Sequence, residues 1–572
     1  MDLDAMKSAP CWPVPTDDGG RAEQLELLRE WRGSFCSAKL MNRSTEPARV
    51  REIVLAEIRH DLPDDTKLYA EGFTMLSQTG GTLGEPVDLC GLTDRKHYRI
   101  PQPDDATVVY GMLTLKPPGG RTILMAFTSC RRFVGRFYLR PGAIQVVFDA
   151  EGLTLGPGEE WQLEEFMFAE DADRDGLLES LAGRIARHHK PLRFEPVPTG
   201  WCSWYCFGPG VTAEQVLANL ETIADRMPQL KYVQIDDGYQ AAMGDWLEPG
   251  KAFGGGLERV LKEIRRRGLQ PGIWVAPFIA EEGSRVFREH PDWFVRDASG
   301  APLRSDRVTF GGWRNAPWYA LDGTHPQARE HLEGVFRTMR EQWGCNYFKL
   351  DANFWGAIHG GRFRDPQATR VEAYRRGMEA VLAGAGDSFI LGCNHPLWPS
   401  LGLIHGSRSS NDISRNWGSI SNTAVENLSR NWQNGRLWWN DPDVVVLTGD
   451  LPESEFYFHA TVIYATGGLV LAGDDLTKMP PERMAMLRKL LPPTGASARF
   501  QDDAMRVGVV SLKGRTMLCL LNWDDQASSL SVALPGRGSV RDYWTGAEVE
   551  AGAGVLELKD MPPRSARLLA CE

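Results

Sequence analysis

The pattern of apolar and polar residues changes twice along the chain. Up to about residue 195, short apolar runs such as Thr107–Leu113 and Thr122–Phe127 are separated by Gly, Pro and Asp, and helical periodicity is scarce. Runs of this kind predict antiparallel strands. We therefore expect an N-terminal β-sandwich domain over residues 1–195.

From about Pro198, apolar runs alternate with amphipathic helical patterns. Eight runs predict strands: Thr199–Tyr205, Tyr232–Asp237, Gly272–Phe278, Tyr347–Ala352, Phe389–Asn394, Leu403–Ser409, Arg436–Asn440 and Gly468–Gly473. The clearest helical patterns are Thr212–Met227, Leu257–Gly268, His325–Gln342, Ala368–Ala385 and Pro481–Leu491. This order predicts an α/β fold with a central (β/α)8 TIM barrel over residues 196–492. An open doubly wound sheet competes, but no G-x-G-x-x-G opens the first helix.

The end of the chain returns to short strand patterns. Met505–Leu512, Thr516–Asn522 and Ser529–Leu534 predict a small C-terminal β-sandwich domain over residues 493–572.

Composition and charge exclude several classes of function. A formal net charge of −11 argues against a nucleic-acid partner, and no run of 18 apolar residues predicts a membrane span. Ten dispersed cysteines and an acidic, non-hydrophobic start predict a cytoplasmic protein with reduced thiols. The chain has no paired C-x-x-C, H-E-x-x-H or G-x-S-x-G motif, so we expect no metal and no cofactor.

Acidic and aromatic residues gather where the barrel strands are predicted to end. The strand ends read Gly200-Trp201-Cys202-Ser203-Trp204, Ile235-Asp236-Asp237-Gly238, Gly272-Ile273-Trp274, Lys349-Leu350-Asp351, Gly392-Cys393-Asn394 and Arg408-Ser409-Ser410-Asn411-Asp412. In a TIM barrel the chemistry takes place at the carboxyl ends of the strands. We therefore expect one site that combines carboxylates with flat apolar walls.

Lys349 and Asp351 are the first candidates for catalysis. In an extended strand the two side chains would project from the same face, so that the ammonium keeps the carboxylate ionised for nucleophilic attack. A purely structural ion pair at a strand end would give the same pattern.

Acids with aromatic walls and no metal motif indicate glycoside hydrolysis, which needs a nucleophilic carboxylate and a protonated carboxyl group. Asp351 suits the first role, and Asp412, four residues after Arg408, suits the second. Asp236 and Asp237 would accept hydrogen bonds from sugar hydroxyls, although a turn at the end of a strand would also explain them.

Several motifs in register resemble the clan D α-galactosidases, and most of all glycoside hydrolase family 36. They are the strand ends above together with Gly244-Asp245-Trp246, Pro291-Asp292-Trp293 and Asn440-Asp441-Pro442-Asp443, spread over roughly residues 198 to 490. The layout of β-sandwich, barrel and β-sandwich also fits this family.

The resemblance implies a role for each matching residue. Asp351 would be the nucleophile and Asp412 the acid/base. Lys349, Arg408, Asp236 and Asp237 would bind sugar hydroxyls, while Trp204 and Trp274 would line the sugar. Family members retain the anomeric configuration, which implies that the catalytic carboxyls are about 5–5.5 Å apart.

The chain departs from the family pattern at two places. Tyr239 stands where the second acidic motif usually has tryptophan, and the loop after strand five, Gly392 to Trp398, lacks the usual glycine run. That loop faces the 2-substituent of the sugar, so Cys393 could serve a hydroxyl or an N-acetyl group. His395 and Trp398 would either line an aglycone subsite or simply pack within the loop.

The sequence therefore predicts a retaining exo-acting α-galactosidase that hydrolyses terminal α-linked galactose from oligosaccharides or glycoconjugates. An α-N-acetylgalactosaminidase on the same scaffold is one alternative, and a galactosyl transferase resembling raffinose synthase is another. A non-catalytic sugar-binding protein is disfavoured because both predicted catalytic aspartates are present. The expected partner is the sugar substrate, and the family resemblance makes a homo-oligomer possible.

Overall fold

The computed structural model describes residues 1–16, 24–535, 539–550 and 554–571. Antiparallel β-structure comes first, a ring of eight parallel strands follows, and shorter antiparallel strands close the chain. The predicted fold class is therefore confirmed.

In its described residues, the N-terminal part contains thirteen strands and two helices. They are α1 Leu3–Ser8, β1 Trp12–Pro15, β2 Leu25–Arg32, β3 Phe35–Asn42, β4 Ala48–Arg59, β5 Lys67–Glu71, β6 Gln78–Gly81, β7 Pro86–Asp88, β8 Thr107–Lys116, β9 Thr122–Phe127, β10 Val134–Arg140, β11 Ala143–Leu155, β12 Glu160–Gln162, β13 Phe166–Asp171 and α2 Arg174–His188. The strands are joined by antiparallel pairing into one connected sheet, whose main path is β1-β4-β11-β10-β8-β9-β13-β3-β12.

This N-terminal sheet packs against itself as a sandwich does. Phe127 in β9 lies 5.1 Å, ring centre to ring centre, from Phe148 in β11, although two strands separate β9 from β11 in the sheet. Phe137 in β10 and Phe166 in β13 join the same cluster. Gly135 lies beneath it, and a Cβ there would come within 2.3 Å of the Phe127 ring. Aromatic burial between the two halves holds the sheet closed.

The barrel strands are β14 Thr199–Cys202, β15 Tyr232–Ile235, β16 Gln270–Val275, β19 Tyr347–Leu350, β20 Phe389–Gly392, β21 Gly406–Arg408, β22 Trp439–Asp441 and β23 Val470–Ala472. The seven strands from β14 to β22 each pair in parallel with their neighbours in this order, and β23 pairs in parallel with β14. The ring closes where the Leu469 N–H donates to the Asn440 carbonyl at 2.9 Å. All eight predicted strands are present in the predicted order.

The barrel region also contains the antiparallel pair β17 Ile279–Glu281 and β18 Trp318–Ala320, and the α-helices α3 Trp204–Phe207, α4 Ala213–Arg226, α5 Leu257–Arg266, α6 Arg285–Glu289, α7 Pro326–Glu341, α8 Arg370–Ala385, α9 Trp417–Ser429, α10 Glu453–Thr466 and α11 Pro481–Lys489. The five predicted helices correspond to α4, α5, α7, α8 and α11. The strand pair lies in the long segment between β16 and β19, where the sequence predicted no strand.

Several strand boundaries differ from the prediction, beginning with those of the first and sixth strands. The first strand ends at Cys202 rather than Tyr205, so Trp204 begins the short helix α3. The sixth strand begins at Gly406 rather than Leu403. Helix α10 was not predicted because most of its residues are buried, and an element that is apolar all round has no amphipathic period to detect.

The C-terminal strands are β24 Arg499–Phe500, β25 Val507–Leu512, β26 Arg515–Asn522, β27 Ser528–Ala533, β28 Val540–Asp542, β29 Val555–Met561 and β30 Ser565–Cys571. They form a five-stranded sheet and a two-stranded sheet. Leu520 and Leu569 from the first sheet share one buried cluster with Val532 and Leu556 from the second, as in a small sandwich.

We propose domain boundaries at residues 195/196 and 492/493. The first falls between α2 and β14, and the second falls between α11 and β24. Each boundary lies in a segment that connects an antiparallel β region with the parallel barrel.

A buried ion pair joins the N-terminal sandwich to the barrel. Nη2 of Arg430 donates to Oε2 of Glu71 at 2.7 Å, and both side chains are fully buried. Tyr69 and Gln433 each donate to Oε1 of Glu71 at 2.8 Å. The carboxylate is thus saturated by protein donors, which a buried charge requires.

The same N-terminal segment holds the loop that follows β20. The Leu397 N–H donates to the Phe73 carbonyl at 2.7 Å, and the Met75 N–H donates to the His395 carbonyl at 3.0 Å. Strand-like pairing of Thr74 with Pro396 lies between these bonds. The N-terminal domain therefore fixes a loop at the carboxyl end of the barrel.

None of the helices in the described part of the chain is long and apolar enough to cross a membrane. All ten cysteines lie within the described residues, and each is a free thiol.

Removing Glu71 should destabilise the protein because Arg430 would be left buried without its counter-ion. We expect Glu71→Ala to lower the free energy of unfolding by about 3–5 kcal/mol. Urea unfolding followed by tryptophan fluorescence measures the change.

Glu179→Ala is the matched control, because the Glu179 side chain is 64% exposed and pairs with Arg499 at 3.8 Å. It should cost about 0.5 kcal/mol or less. Equal losses in the two variants would contradict a stabilising role for the buried pair.

Candidate active site

Side chains from alternate barrel strands meet at the carboxyl end of the barrel. Nζ of Lys349, in β19, donates to Oδ2 of Asp236, which follows β15, at 2.9 Å, and both side chains are buried. Lys349 thus forms its ion pair with Asp236, and the expected direct pair with Asp351 is wrong. The strand ends at Leu350, so the period-two geometry does not extend to Asp351.

Asp351 is held by three donors. Its Oδ1 accepts from the Ala352 N–H at 2.7 Å and from Nδ2 of Asn394 at 2.8 Å, while its Oδ2 accepts from Nε1 of Trp274 at 3.1 Å. Trp274 was predicted to line the sugar, and here it also fixes this carboxylate. The orientation of Asp351 is therefore set by the strand ends on either side of it.

Backbone strain and burial both act on Asp351. Ala352 has φ +52°, a left-handed conformation that is rare for a residue with a side chain, and this conformation accompanies the bond from its N–H to Asp351. Burial raises the pKa of Asp351, while the Lys349 ammonium and the hydrogen bonds from Ala352 and Trp274 oppose the rise. Strained residues of this kind concentrate at functional sites.

Asp237 forms an ion pair with a residue that the sequence analysis did not identify as a candidate. Arg314, from the segment between β17 and β18, donates to it with two nitrogens, Nε to Oδ2 at 2.8 Å and Nη2 to Oδ1 at 2.5 Å. Nε2 of Gln240 adds a third bond at 2.6 Å. The paired geometry of a guanidinium and a carboxylate fixes both partners.

Arg408 bridges two carboxylates. Its Nη2 lies 2.7 Å from Oδ1 of Asp412 and 2.6 Å from Oδ2 of Asp443. The Tyr205 hydroxyl also donates to Oδ2 of Asp443, at 2.5 Å. Arg408, Asp443 and Tyr205 therefore form one network beneath Asp412.

The two carboxyls on Arg408 have different surroundings. The Asp412 side chain keeps 65% of its surface accessible, whereas Asp443 keeps 2%. Burial raises the pKa of Asp443 to about 7. Loss of solvation within the protein would raise the pKa of Asp412 as well. The positive charges of Arg408 and Lys349 have the larger combined effect, so the pKa of Asp412 lies below its usual range. Of the two carboxyls on Arg408, Asp443 therefore has the raised pKa and Asp412 the lowered one.

Cys393, which was predicted to face the 2-substituent, and the two serines that follow Arg408 are buried. Cys393 lies with Sγ 3.9 Å from Nη1 of Arg408, and burial raises the pKa of its thiol far above the ordinary value. Ser409 is buried and bonded to Asn427 at 2.5 Å. Ser410 is buried as well.

His395 and Trp398 pack within the protein. His395 is fully buried, with its ring nitrogens 3.0 Å from the Ser400 hydroxyl and 2.9 Å from the Ser407 hydroxyl. Nε1 of Trp398 donates to the Phe127 carbonyl in the N-terminal sheet at 2.8 Å. Of the two readings left open by the sequence, the packed loop is the one that the structure shows.

The structure brings together Asp236, Asp237, Trp274, Lys349, Asp351, Cys393, Arg408 and Asp412 through the contacts above. Trp204 lies partly buried at the start of α3, next to Tyr205 in the chain. Sequence reasoning did not assign roles to Asp443, Tyr205 and Arg314. Asp443 was visible in the N-D-P-D motif, whereas no motif marked Arg314.

A separate cleft of about 690 Å³ lies between the N-terminal sheet and the segment 358–363. Arg136 and Arg370 line it, but Glu52, Asp149 and Glu151 form ion pairs with them. None of the predicted site residues lines this cleft.

Comparison with known proteins shows which protein family and which relatives the chain resembles. The sequence family described as Melibiase matches residues 227–381. The α-galactosidase AgaA of Geobacillus stearothermophilus is 28% identical over 235 residues, which is 39% of this chain and 30% of that protein. The A type blood α-D-galactosamine galactosaminidase of Flavonifractor plautii is also 28% identical over 235 residues, covering 39% of this chain and 20% of that protein. The chain thus matches only a fifth to three tenths of these relatives' length.

Solved structures share the fold over a longer span. The family 36 AgaA structure with 1-deoxygalactonojirimycin superposes with a TM-score of 0.66 at 14% identity, covering 100% of this chain and 86% of that one. The α-galactosidase TtGalA of Thermus thermophilus, bound to p-nitrophenyl α-D-galactopyranoside, gives 0.64 at 23% identity over 85% and 98%. The resemblance to the family 36 α-galactosidases is therefore confirmed, in sequence over part of the barrel and in fold over the whole chain.

The raised pKa of Asp443 predicts how its removal depends on pH. The folded protein holds this proton up to about pH 7, whereas an unfolded aspartate loses it near pH 4. The contribution of Asp443 to the free energy of unfolding therefore decreases as the pH rises from about 4 to about 7. The free energy of unfolding lost in Asp443→Asn should therefore be smaller at pH 8 than at pH 5, by about 2 kcal/mol. Urea unfolding at both pH values measures this difference.

Glu263→Gln is the control, because its two arginine neighbours lower the pKa of Glu263 to about 2, outside that window. Its effect should be the same at pH 5 and pH 8. An equally constant loss for Asp443→Asn would show that Asp443 does not hold the proton.

Proposed function

We propose that this protein is a retaining, exo-acting α-galactosidase that removes terminal α-linked galactose from oligosaccharides or glycoconjugates. One observation carries the proposal: two carboxyls held in different ways converge at the end of the barrel. Asp351 is buried and fixed by three donors, while Asp412 is exposed on a guanidinium. They are close enough that the charge of Asp412 raises the pKa of Asp351. Retaining glycosidases need such a pair.

Asp351 acts as the nucleophile. Its Oδ2 accepts one hydrogen bond and its Oδ1 accepts two, so Oδ2 has the more available lone pairs for the anomeric carbon. The donors hold the carboxylate in place before the substrate arrives. Preorganisation of this kind lowers the barrier to attack.

Asp412 acts as the acid/base. In the structure Arg408 keeps its pKa low, which does not suit proton donation. Arg408 is also the residue expected to contact the sugar near its 2-position. When it turns to the sugar, Asp412 loses its cation and the pKa of Asp412 rises, which favours the protonated form. Asp412 then donates to the leaving oxygen and later takes a proton from the attacking water.

The other end of the sugar meets Asp236 and Asp237. Within the described part of the chain, Oδ1 of Asp236 accepts only the Asp237 N–H, so it can also accept a sugar hydroxyl. Lys349, bonded to Oδ2 of the same carboxylate, can donate to a neighbouring hydroxyl. These contacts suit the 4- and 6-hydroxyls, and Trp204 would pack against the sugar ring.

The packing near the 2-position favours galactose over N-acetylgalactosamine. Cys393, Arg408 and Ser409 are each buried, and Ser409 is bonded to Asn427. An N-acetyl group would need open space beside these residues. The Flavonifractor plautii relative is named as a galactosaminidase, so a hexosamine substrate is the second candidate.

We also propose a cytoplasmic location, since ten free cysteines suit a reducing compartment. The substrate is a sugar rather than a nucleic acid or a membrane. Assembly into a homo-oligomer stays a prediction.

Side-by-side turnover of 4-nitrophenyl α-galactoside, α-N-acetylgalactosaminide and α-glucoside tests the proposal. We expect kcat/KM for the galactoside to exceed each of the others by about a hundredfold or more, because a misplaced or missing hydroxyl leaves buried polar groups unpaired. Proton NMR of the first product should show α-galactose.

Faster release of N-acetylgalactosamine would favour the second candidate. Initial release of β-galactose would contradict retention, and transfer to an added sugar outrunning hydrolysis would indicate a transferase.

A further inference from the structure

A second cleft, of about 600 Å³, lies where the connection from β9 to β10, the end of α2 and helix α8 meet. Its charged lining residues are the cations Arg131, Lys190, Arg375 and Arg376 and the acids Glu372 and Glu379. None of the residues assigned to the sugar site lines it. Cations thus outnumber acids in this cleft, although the whole chain carries a formal net charge of −11.

Two of these charges already have partners. Nη1 of Arg376 lies 2.7 Å from Oδ2 of Asp365, and Oε2 of Glu372 lies 3.4 Å from Nε of Arg132. Among the described residues, no ion pair involves Arg131, Lys190, Arg375 or Glu379. Three cations and one acid of the lining are therefore available to a ligand.

Arg375 is held in place but is only partly satisfied. Its Nη1 donates to the carbonyls of Pro399 and Leu401, at 2.8 and 3.0 Å. Its Nε and Nη2 have no hydrogen-bond partner in the described part of the chain, and neither atom is fully buried. Burial lowers the pKa of Arg375, and none of the acids around it forms an ion pair with it. Two donors of a fixed guanidinium therefore remain open to the cleft.

The free cations indicate what kind of ligand the cleft accepts. A half-buried guanidinium without a counter-ion is costly, so an anion that reaches it is bound favourably. A phosphate group carries nearly two negative charges above pH 7 and three acceptor oxygens, and its geometry matches the paired donors of arginine. The cleft is much larger than a phosphate ion and has the size of a small-molecule site. The remaining space, with the Glu379 carboxylate as an acceptor, suits a part of the ligand that carries hydroxyls.

We propose that this cleft binds a phosphorylated small molecule of the sugar-phosphate class. The phosphate group accepts from Nε and Nη2 of Arg375, and Arg131 and Lys190 supply further positive charge. The binding geometry exists before the ligand arrives, because the Pro399 and Leu401 carbonyls fix the guanidinium. The site is separate from the carboxylates of the barrel, so the inference does not depend on the proposed α-galactosidase function.

Isothermal titration calorimetry on the full chain, at pH 8 and constant ionic strength, tests the proposal. Glucose 6-phosphate should bind with one site per chain and about tenfold more tightly than inorganic phosphate, while glucose should show no binding at this site. Lys190→Glu should weaken the binding of glucose 6-phosphate about tenfold or more, because it replaces an attractive charge by a repulsive one. Lys190 is exposed and has no ion pair in the described structure, so the variant should fold normally.

Lys262→Glu is the matched control. Lys262 is an exposed lysine of α5 that does not line the cleft, and its replacement changes the net charge by the same amount. It should change the Kd by about twofold or less. Absence of saturable binding of glucose 6-phosphate to the wild-type protein would overturn the proposal. Equal weakening in the two variants, or tighter binding of inorganic phosphate than of the sugar phosphate, would overturn it as well.

Discussion

An excess of negative charge at the carboxyl end of the barrel is the constraint on which the site depends. Six carboxyl groups share three cations there. The acids are Asp236, Asp237, Asp351, Asp412, Asp441 and Asp443, and the cations are Lys349, Arg314 and Arg408. Burial without a full set of counter-ions raises the pKa values of Asp351, Asp441 and Asp443. The same excess would stabilise the positive charge that develops on a sugar ring during glycoside cleavage.

Holding these charges in place requires support from outside the barrel. Asn394 orients Asp351, and the loop that carries Asn394 is bonded to the N-terminal segment through Phe73 and Met75. The Glu71–Arg430 pair anchors this segment, and Nη1 of Arg430 also donates to the Ser409 carbonyl at 3.0 Å, beside the acid/base strand. The N-terminal sandwich thus acts on the geometry of the catalytic residues, although its own strands contribute none of them.

The sequence was sufficient for the order of strands and for most of the carboxylates. Each barrel strand is a short apolar run that ends at a polar residue, and that local pattern is readable. The ion pairs between charged side chains could not be predicted from the sequence, because they depend on which strands lie side by side in the barrel. Lys349 pairs with Asp236, which lies two strands away in the barrel, rather than with Asp351 two residues away in the chain. Arg314 reaches Asp237 from a segment without periodic structure, and the buried helix α10 had no amphipathic signal.

The central claim is that Asp351 attacks the sugar, and covalent trapping tests it most directly. With 5-fluoro-α-D-galactosyl fluoride, the ring fluorine slows breakdown of the intermediate while the fluoride leaving group still allows it to form. Peptide mass spectrometry should find the fluorogalactosyl group on Asp351 alone. A label on Asp412, Asp441 or Asp443, or release of fluoride without any labelled peptide, would contradict the account.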